Sequence, residues 1–179
     1  MFGKYKSLVE KASELGIKSY FLDAKTIPIE NRTILKCAYG CKNYGTRPSC
    51  PPYVTSIDDF RKVIAEYKSA LLLLDEHDTP KVSDIHEAGS ELLKDSFHKM
   101  FKLEQEAFRE GFTFAHLLRP GPCNECEICS LDKCVKPEMK RFPPEAVGIN
   151  LLKAMESFGL ALEFCKPEKT LYVGILLIE

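Results

Sequence analysis

Apolar residues recur along this chain with two different periods, and the switches between them mark its elements. Tyr5, Leu8, Val9, Ala12 and Leu15 share one helix face, with Gly16 placed to stop the helix. Ile17 to Leu22 reads as a first strand. Thr26–Ile29 and Thr33–Lys36 suggest a further strand or hairpin, although Pro28 cannot donate to a ladder. Ser56 with Asp59 three residues on forms a capping box, and Ile57, Phe60, Val63, Ile64 and Tyr67 continue as a helix face behind it. Ala70 to Leu74 is a continuous apolar run followed by Asp-Glu-His-Asp, which predicts a buried strand that ends at the surface.

In the second half, Ile85, Ala88, Leu92, Met100, Leu103 and Ala107 predict one long helix from about residue 82 to about residue 110. Phe112 to Leu118 reads as a strand. Pro143 and Pro144 open a helix that Val147, Leu151, Met155 and Phe158 continue to Gly159. Leu160–Phe164 and Leu171–Ile178 then read as a closing antiparallel pair across the turn at Lys166-Pro167-Glu168-Lys169.

This alternation predicts an α/β fold: a single-domain sandwich over residues 1–179, with helices on the faces of a mixed, largely parallel sheet. Two cysteine-rich loops, 37–53 and 119–143, each follow a strand and precede a helix. Strands running parallel would deliver both loops to one edge of the sheet, where α/β folds place their sites.

Composition changes the picture in one respect only. The 179 residues are 45% hydrophobic and 28% charged, with a net charge of −1 and no basic footprint that would indicate nucleic acid. The start of the chain lacks the apolar core of a signal peptide, and the run from Leu171 to Ile178 is too short to span a bilayer as a helix. The expectation is a cytoplasmic protein that engages no membrane. In a reducing cytoplasm, eight cysteines are better suited to metal ligation than to disulfides. A chain of this size buries enough apolar surface to fold without a metal, so a metal here would serve function or order the loops locally.

The stronger of the two segments is Cys123-Asn-Glu-Cys126-Glu-Ile-Cys129-Ser-Leu-Asp-Lys-Cys134. Three cysteines at steps of three let one loop wrap its thiolates around successive corners of a [4Fe–4S] cubane, as in ferredoxin-type sites. Here the fourth gap is longer than in a ferredoxin, and the proline that follows, Pro137, is not adjacent to Cys134. A zinc knuckle is the alternative, yet structural zinc sites pair one short Cys-Cys step with a second pair after a longer gap. The spacing favours iron–sulfur over zinc.

The other segment offers Cys37, Cys41 and Cys50, threaded by Gly40, Gly45, Pro48, Pro51 and Pro52. Tyr39, Tyr44 and Tyr53 are placed either to shield a cluster from water or to pack on the core. One ligand is missing from this set. Cys165 is a candidate fourth, but a lone cysteine in a predicted strand is commonly a small buried hydrophobe. His116, on the strand leading to Cys123, is a candidate replacement ligand, with a structural partner the commoner fate of such a residue. His77, His86 and His98 read as solvated. Arg47, Arg119, Lys136 and Arg141 flank the cysteines, either as solvated loop cations or as counter-charges to thiolate-bound clusters. No nucleophile motif, phosphate loop or dinucleotide fingerprint is present.

The phrases Lys36-Cys-Ala-Tyr-Gly-Cys-Lys-Asn-Tyr-Gly and Cys50-Pro-Pro-Tyr resemble the first signature of a family described as predicted metal-binding proteins, a domain of unknown function. Gly121-Pro-Cys through Cys134, continuing into Lys136-Pro-Glu-Met-Lys-Arg and Pro144-Glu-Ala-Val-Gly-Ile, is similar to its second signature. The intervening Tyr67-Lys-Ser-Ala-Leu-Leu-Leu also fits. The resemblance implies metal or iron–sulfur binding by Cys37, Cys41, Cys50, Cys123, Cys126, Cys129 and Cys134, and it implies no particular reaction.

Three functions compete on these grounds. The first is a redox protein whose one or two [4Fe–4S] clusters exchange electrons with a protein partner. The second is an enzyme or metal-handling accessory with an open iron at Cys37–Cys50. The third is an interaction protein whose loops are ordered by zinc.

Overall fold

The computed structural model describes residues 2–79, 85–160 and 168–179. Its centre is a four-stranded sheet of β1 (Lys18–Asp23), β2 (Ser69–Asp78), β3 (His116–Leu118) and β4 (Lys169–Leu177), in the order β1-β2-β4-β3. Every pairing is antiparallel: Phe21 faces Leu71, Leu72 faces Ile175 and Leu117 faces Leu176. The expected largely parallel sheet is therefore corrected. The source of the error is the run Ala70–Leu74, which is buried on both sides of the sheet, as a parallel strand would be. Continuous hydrophobicity reports that both faces are covered; it does not report strand direction.

Both faces are indeed covered. Ala70, Leu72 and Leu74 point to one side, where they meet Phe60 and Ile64 of α3 (Ile57–Ala65) and Leu151 and Met155 of α5 (Leu151–Glu156). Leu71 and Leu73 point to the other, against Leu8 and Ala12 of α1 (Lys6–Glu14) and Phe97, Met100 and Leu103 of α4 (Ile85–Arg109). Each fully buried leucine of the run contributes about 1.5–3 kcal/mol relative to exposure. Ser56 caps α3, its Oγ accepting the Asp59 amide at 3.1 Å and donating to the Asp59 carboxylate at 2.7 Å.

Several local expectations change. Residues 24–40 hold no hairpin: a 3₁₀ turn at Ala24–Thr26 leads to α2 (Ile34–Gly40), and Ile29 makes only an isolated bridge to Ile149. Phe112–Leu118 is a strand only at His116–Leu118. The helix expected from Pro143 to Gly159 is broken: Pro144–Val147 is 3₁₀, and α5 begins after Gly148, whose φ of 95° is left-handed. The acidic stretch after Leu74 continues β2 to Asp78. β4 is paired on both sides, with β2 and with β3. Residues 161–167, which hold most of its expected partner and Cys165, lie outside the described residues, as do residues 80–84 before α4.

Candidate metal centre

Strand order bears directly on the two cysteine loops. β1 and β3 are opposite edges of the sheet and run in opposite directions, so the common edge expected from parallel strands is corrected. The segments nevertheless meet, by another route. After β1 the chain packs Ile27 and Ile29 on the α3/α5 side of the sheet. There the Glu30 amide donates to the Gly148 carbonyl at 2.7 Å and the Asn150 amide to the Pro28 carbonyl at 2.8 Å. Beyond that clasp, Arg47 donates to the Cys123 carbonyl and joins the two loops directly.

In the first loop, α2 leaves Cys37 half-buried and Cys41 exposed just past its end, while Cys50 is buried. Asn43 organises the turn between them. Its amide donates to Cys41 Sγ at 3.8 Å, and its side-chain oxygen accepts Arg47 Nε at 2.8 Å. The Gly45 amide, at a φ of 69°, donates to the Pro51 carbonyl at 2.9 Å and closes the loop. Tyr39 is 87% exposed and Tyr53 is 52% exposed, so neither shields the cysteines nor packs on the core. Burial raises the Cys50 thiol to about 11, against the smaller opposing effects of Ser49 and Arg47. Burial also raises Cys37, with the nearby Cys41 thiol and Glu145 carboxyl adding to it. Glu145 is itself pushed up by burial.

The second loop is tied at its base by the Arg119 amide donating to the Phe142 carbonyl at 3.0 Å. Between those residues Cys123, Cys126, Cys129 and Cys134 line a single narrow pocket, together with Arg47, Ser49 and Lys136. Asn124 and Glu125 anchor the loop to α4: Asn124 Nδ2 donates to the Ser90 carbonyl at 2.8 Å, and Glu125 Oε2 lies 2.8 Å from His98 Nε2. Lys136 donates to the Glu125 carbonyl at 2.9 Å. Burial raises the Cys129 thiol, while Arg47 partly offsets this. Thiols held protonated in this way must lose their protons to bind a metal, so loading would release protons.

Arg119 is not a solvated loop cation. It is 0% exposed, its guanidinium carbon sits 4.1 Å from the Phe97 ring centroid, and Nη2 donates to Asn124 Oδ1 at 2.8 Å. Nε and Nη1 have no hydrogen-bond partner among the described residues, and the buried Ser49 Oγ has none either. Arg141 is committed elsewhere, to Glu104 at 3.0 Å. His98 and Glu125 were missed by periodicity because their role rests on a contact between a helix and a loop distant in sequence. A glutamate between two ligand-spaced cysteines is the one signal that pointed there.

His116 does not line the cysteine pocket. Its Nδ1 lies 3.8 Å from Glu104 Oε1 and its Nε2 is buried without a partner among the described residues. Burial, with Arg141 nearby, lowers its imidazole to about 4. An unfolded histidine titrates near 6.5, so between about pH 6.5 and about pH 4 the unfolded chain binds a proton that the folded chain refuses. This contribution to stability is complete above that window and is lost as pH falls through it. It is modest, because the ring is 36% exposed. Urea unfolding at pH 7 and pH 4.5 should show the loss, and His116→Gln should flatten it; an unchanged pH dependence in the variant would contradict the assignment.

Asp75, His77 and Asp95 also converge, with ligand atoms within 4.8 Å of one another. Lys99 already serves that group, its ammonium lying 2.8 Å from Asp95 and 3.3 Å from Asp75. His77 is thus a bonded strand residue, 2.8 Å from Asp75, rather than a solvated one. The side chain of His86 lies outside the described residues.

The donor set fits a metal that prefers sulfur: seven described thiols, none in a disulfide, with buried cationic N–H groups beside them. No helix among the described residues is long and apolar enough to cross a membrane. Comparison with curated proteins and with solved structures returned no match. A family model described as predicted metal-binding protein (DUF2284) matches residues 20–178. With nearly the whole chain inside that match, the chain belongs to this family of predicted metal-binding proteins.

Proposed function

We propose that this chain is an iron–sulfur protein that exchanges electrons with a protein partner, with Cys123, Cys126, Cys129 and Cys134 holding a [4Fe–4S] cluster and Cys37, Cys41 and Cys50 serving a second metal site. The observation that carries this reading is the pocket lined by all four cysteines of a ferredoxin-like run. A cluster held there would supply a one-electron couple.

The protein's own residues would do the rest. Arg47 and Lys136 line the pocket and offset the charge of the thiolates. Ile128, 87% exposed, and Val135, 69% exposed, lie between and beside the cysteines and form a small apolar contact for the partner. The free thiols suit a reducing compartment such as the cytoplasm. One observation favours a second reading, an open metal site at Cys37–Cys50: among the described residues this loop offers three thiols, and Cys41 is exposed.

Anaerobic purification tests the proposal. The expected product is brown, with iron and acid-labile sulfide in equal amounts, about four of each per cluster. A colourless protein holding stoichiometric zinc under strict anaerobiosis would sink it.

A further inference from the structure

One fully buried cation packs against the second cysteine loop, which Arg47 joins to the first. Arg119 immediately precedes the Pro-Gly-Pro that leads to Cys123, and its side chain is pinned from two sides. Phe97 stacks beneath the guanidinium, and Asn124 accepts from Nη2. Glu125 Oε1 is 3.7 Å from Nη2, an ion pair too long for a hydrogen bond, and it has no hydrogen-bond partner among the described residues.

A buried guanidinium with two unpartnered nitrogens costs stability unless an anion meets it. Burial lowers the Arg119 guanidinium; Cys123, Glu125 and Cys50 act against that, and Arg47 adds to it. Cys123 belongs to one loop and Cys50 to the other. Ser49, beside Cys50 and acting on its thiol, is a third buried donor, and it lines the pocket of the second loop. Unmet donors thus lie beside each loop: Arg119 Nε and Nη1 next to Asn124 of the second, and Ser49 next to Cys50 of the first. Glu125 supplies a countercharge to Nη2 without a hydrogen bond, so what Nε and Nη1 lack is an acceptor; protonated thiols accept poorly, whereas metal-bound thiolates accept well.

We propose that Arg119 is a positioning residue shared by both cysteine groups, donating from Nε and Nη1 to their metal-bound thiolates and coupling the two sites into one centre. This rests on the metal-binding reading above. Two consequences follow from the charge. Metal retention by both groups depends on one side chain, and the reduction potential of both depends on it as well, because a buried cation favours the more negative reduced state.

The test compares anaerobically prepared wild type, Arg119→Gln and Arg119→Lys, reading iron release to a chelator and the potential of each redox transition. Arg119→Gln should release iron from both groups about 10–100-fold faster, the usual effect of losing an outer-shell partner. Both of its potentials should move negative. Arg119→Lys keeps the charge and loses the fork, so its iron release should also quicken while its potentials move less. Wild-type behaviour in Arg119→Gln, or a response confined to one group, would overturn the inference. Should Arg119→Gln fail to fold, Arg119→Lys decides: iron release unchanged from wild type would overturn the inference equally. A wild type that takes up no iron would instead refute the iron–sulfur reading itself.

Discussion

Cys126→Ser is expected to strip the Cys123–Cys134 loop of its metal and to leave residues 127–135 without a fixed structure. The loop is poorly anchored by anything else. Arg119 and Phe142 tie its base, and the other anchors, from Cys123, Asn124, Glu125 and Lys136, lie near its start and end. Between these anchors Ile128, Leu131 and Val135 are exposed, so the loop buries little apolar surface of its own. Thiolate–metal bonds would then supply most of its order, as in small metal-stabilised domains. The variant should lose about four irons per chain. Limited proteolysis should cut between Cys126 and Cys134, while the sheet and its helices, which make separate cores, stay folded. Full iron content together with wild-type protease resistance would show that these cysteines do not hold the metal.

Gly148→Val should bring the second large effect, through a different link. Gly148 has a φ of 95°, and a Cβ there would come within 2.8 Å of Ile57 Cγ2 and 3.0 Å of Ile29 Cγ2. Holding a β-branched residue in that backbone costs about 1–3 kcal/mol, and overpacking adds about 1–3 kcal/mol more. The site matters because the Gly148 carbonyl accepts the Glu30 amide and Ile149 bridges Ile29. This clasp seats the first cysteine arm against the segment that follows the second. The expected result is a fall in Tm of about 5–15 °C, accompanied by faster metal loss from Cys37–Cys50. Gly148→Ala should show a smaller fall in the same direction. A Tm within about 2 °C of wild type for the valine variant would mean that the clasp yields without cost.

Much of this architecture is legible in local pattern. The faces of α1 and α3 follow from apolar residues at helical spacing, and the Ser56 cap follows from a serine three residues before an acid, because both effects act within a turn or two. Gly16 stops α1 as its position suggests, with a φ of 76°. The break at Gly148 was hidden by the same logic. Val147, Leu151 and Met155 keep helical spacing, yet the backbone turns at Gly148 to present its carbonyl to the other arm. Residues 24–40 were misread for a related reason: short apolar runs around Pro28 satisfy a strand pattern, and burial against distant residues decides otherwise.

By itself the sequence determined which chemistry this protein can support. The cysteine types and their steps of three are covalent facts, and the stiff, glycine- and proline-rich setting of each loop is local. Tertiary structure decided the direction of every strand, because hydrophobic runs encode burial and carry no record of pairing partners. It also decided that the two cysteine loops meet, through Arg47 and the Gly148 clasp, although they leave opposite edges of the sheet. Last, it converted Arg119 from one more loop cation into a fully buried one held against the second loop by Asn124. Burial of a charge depends on every layer packed around it, and no stretch of chain specifies that alone.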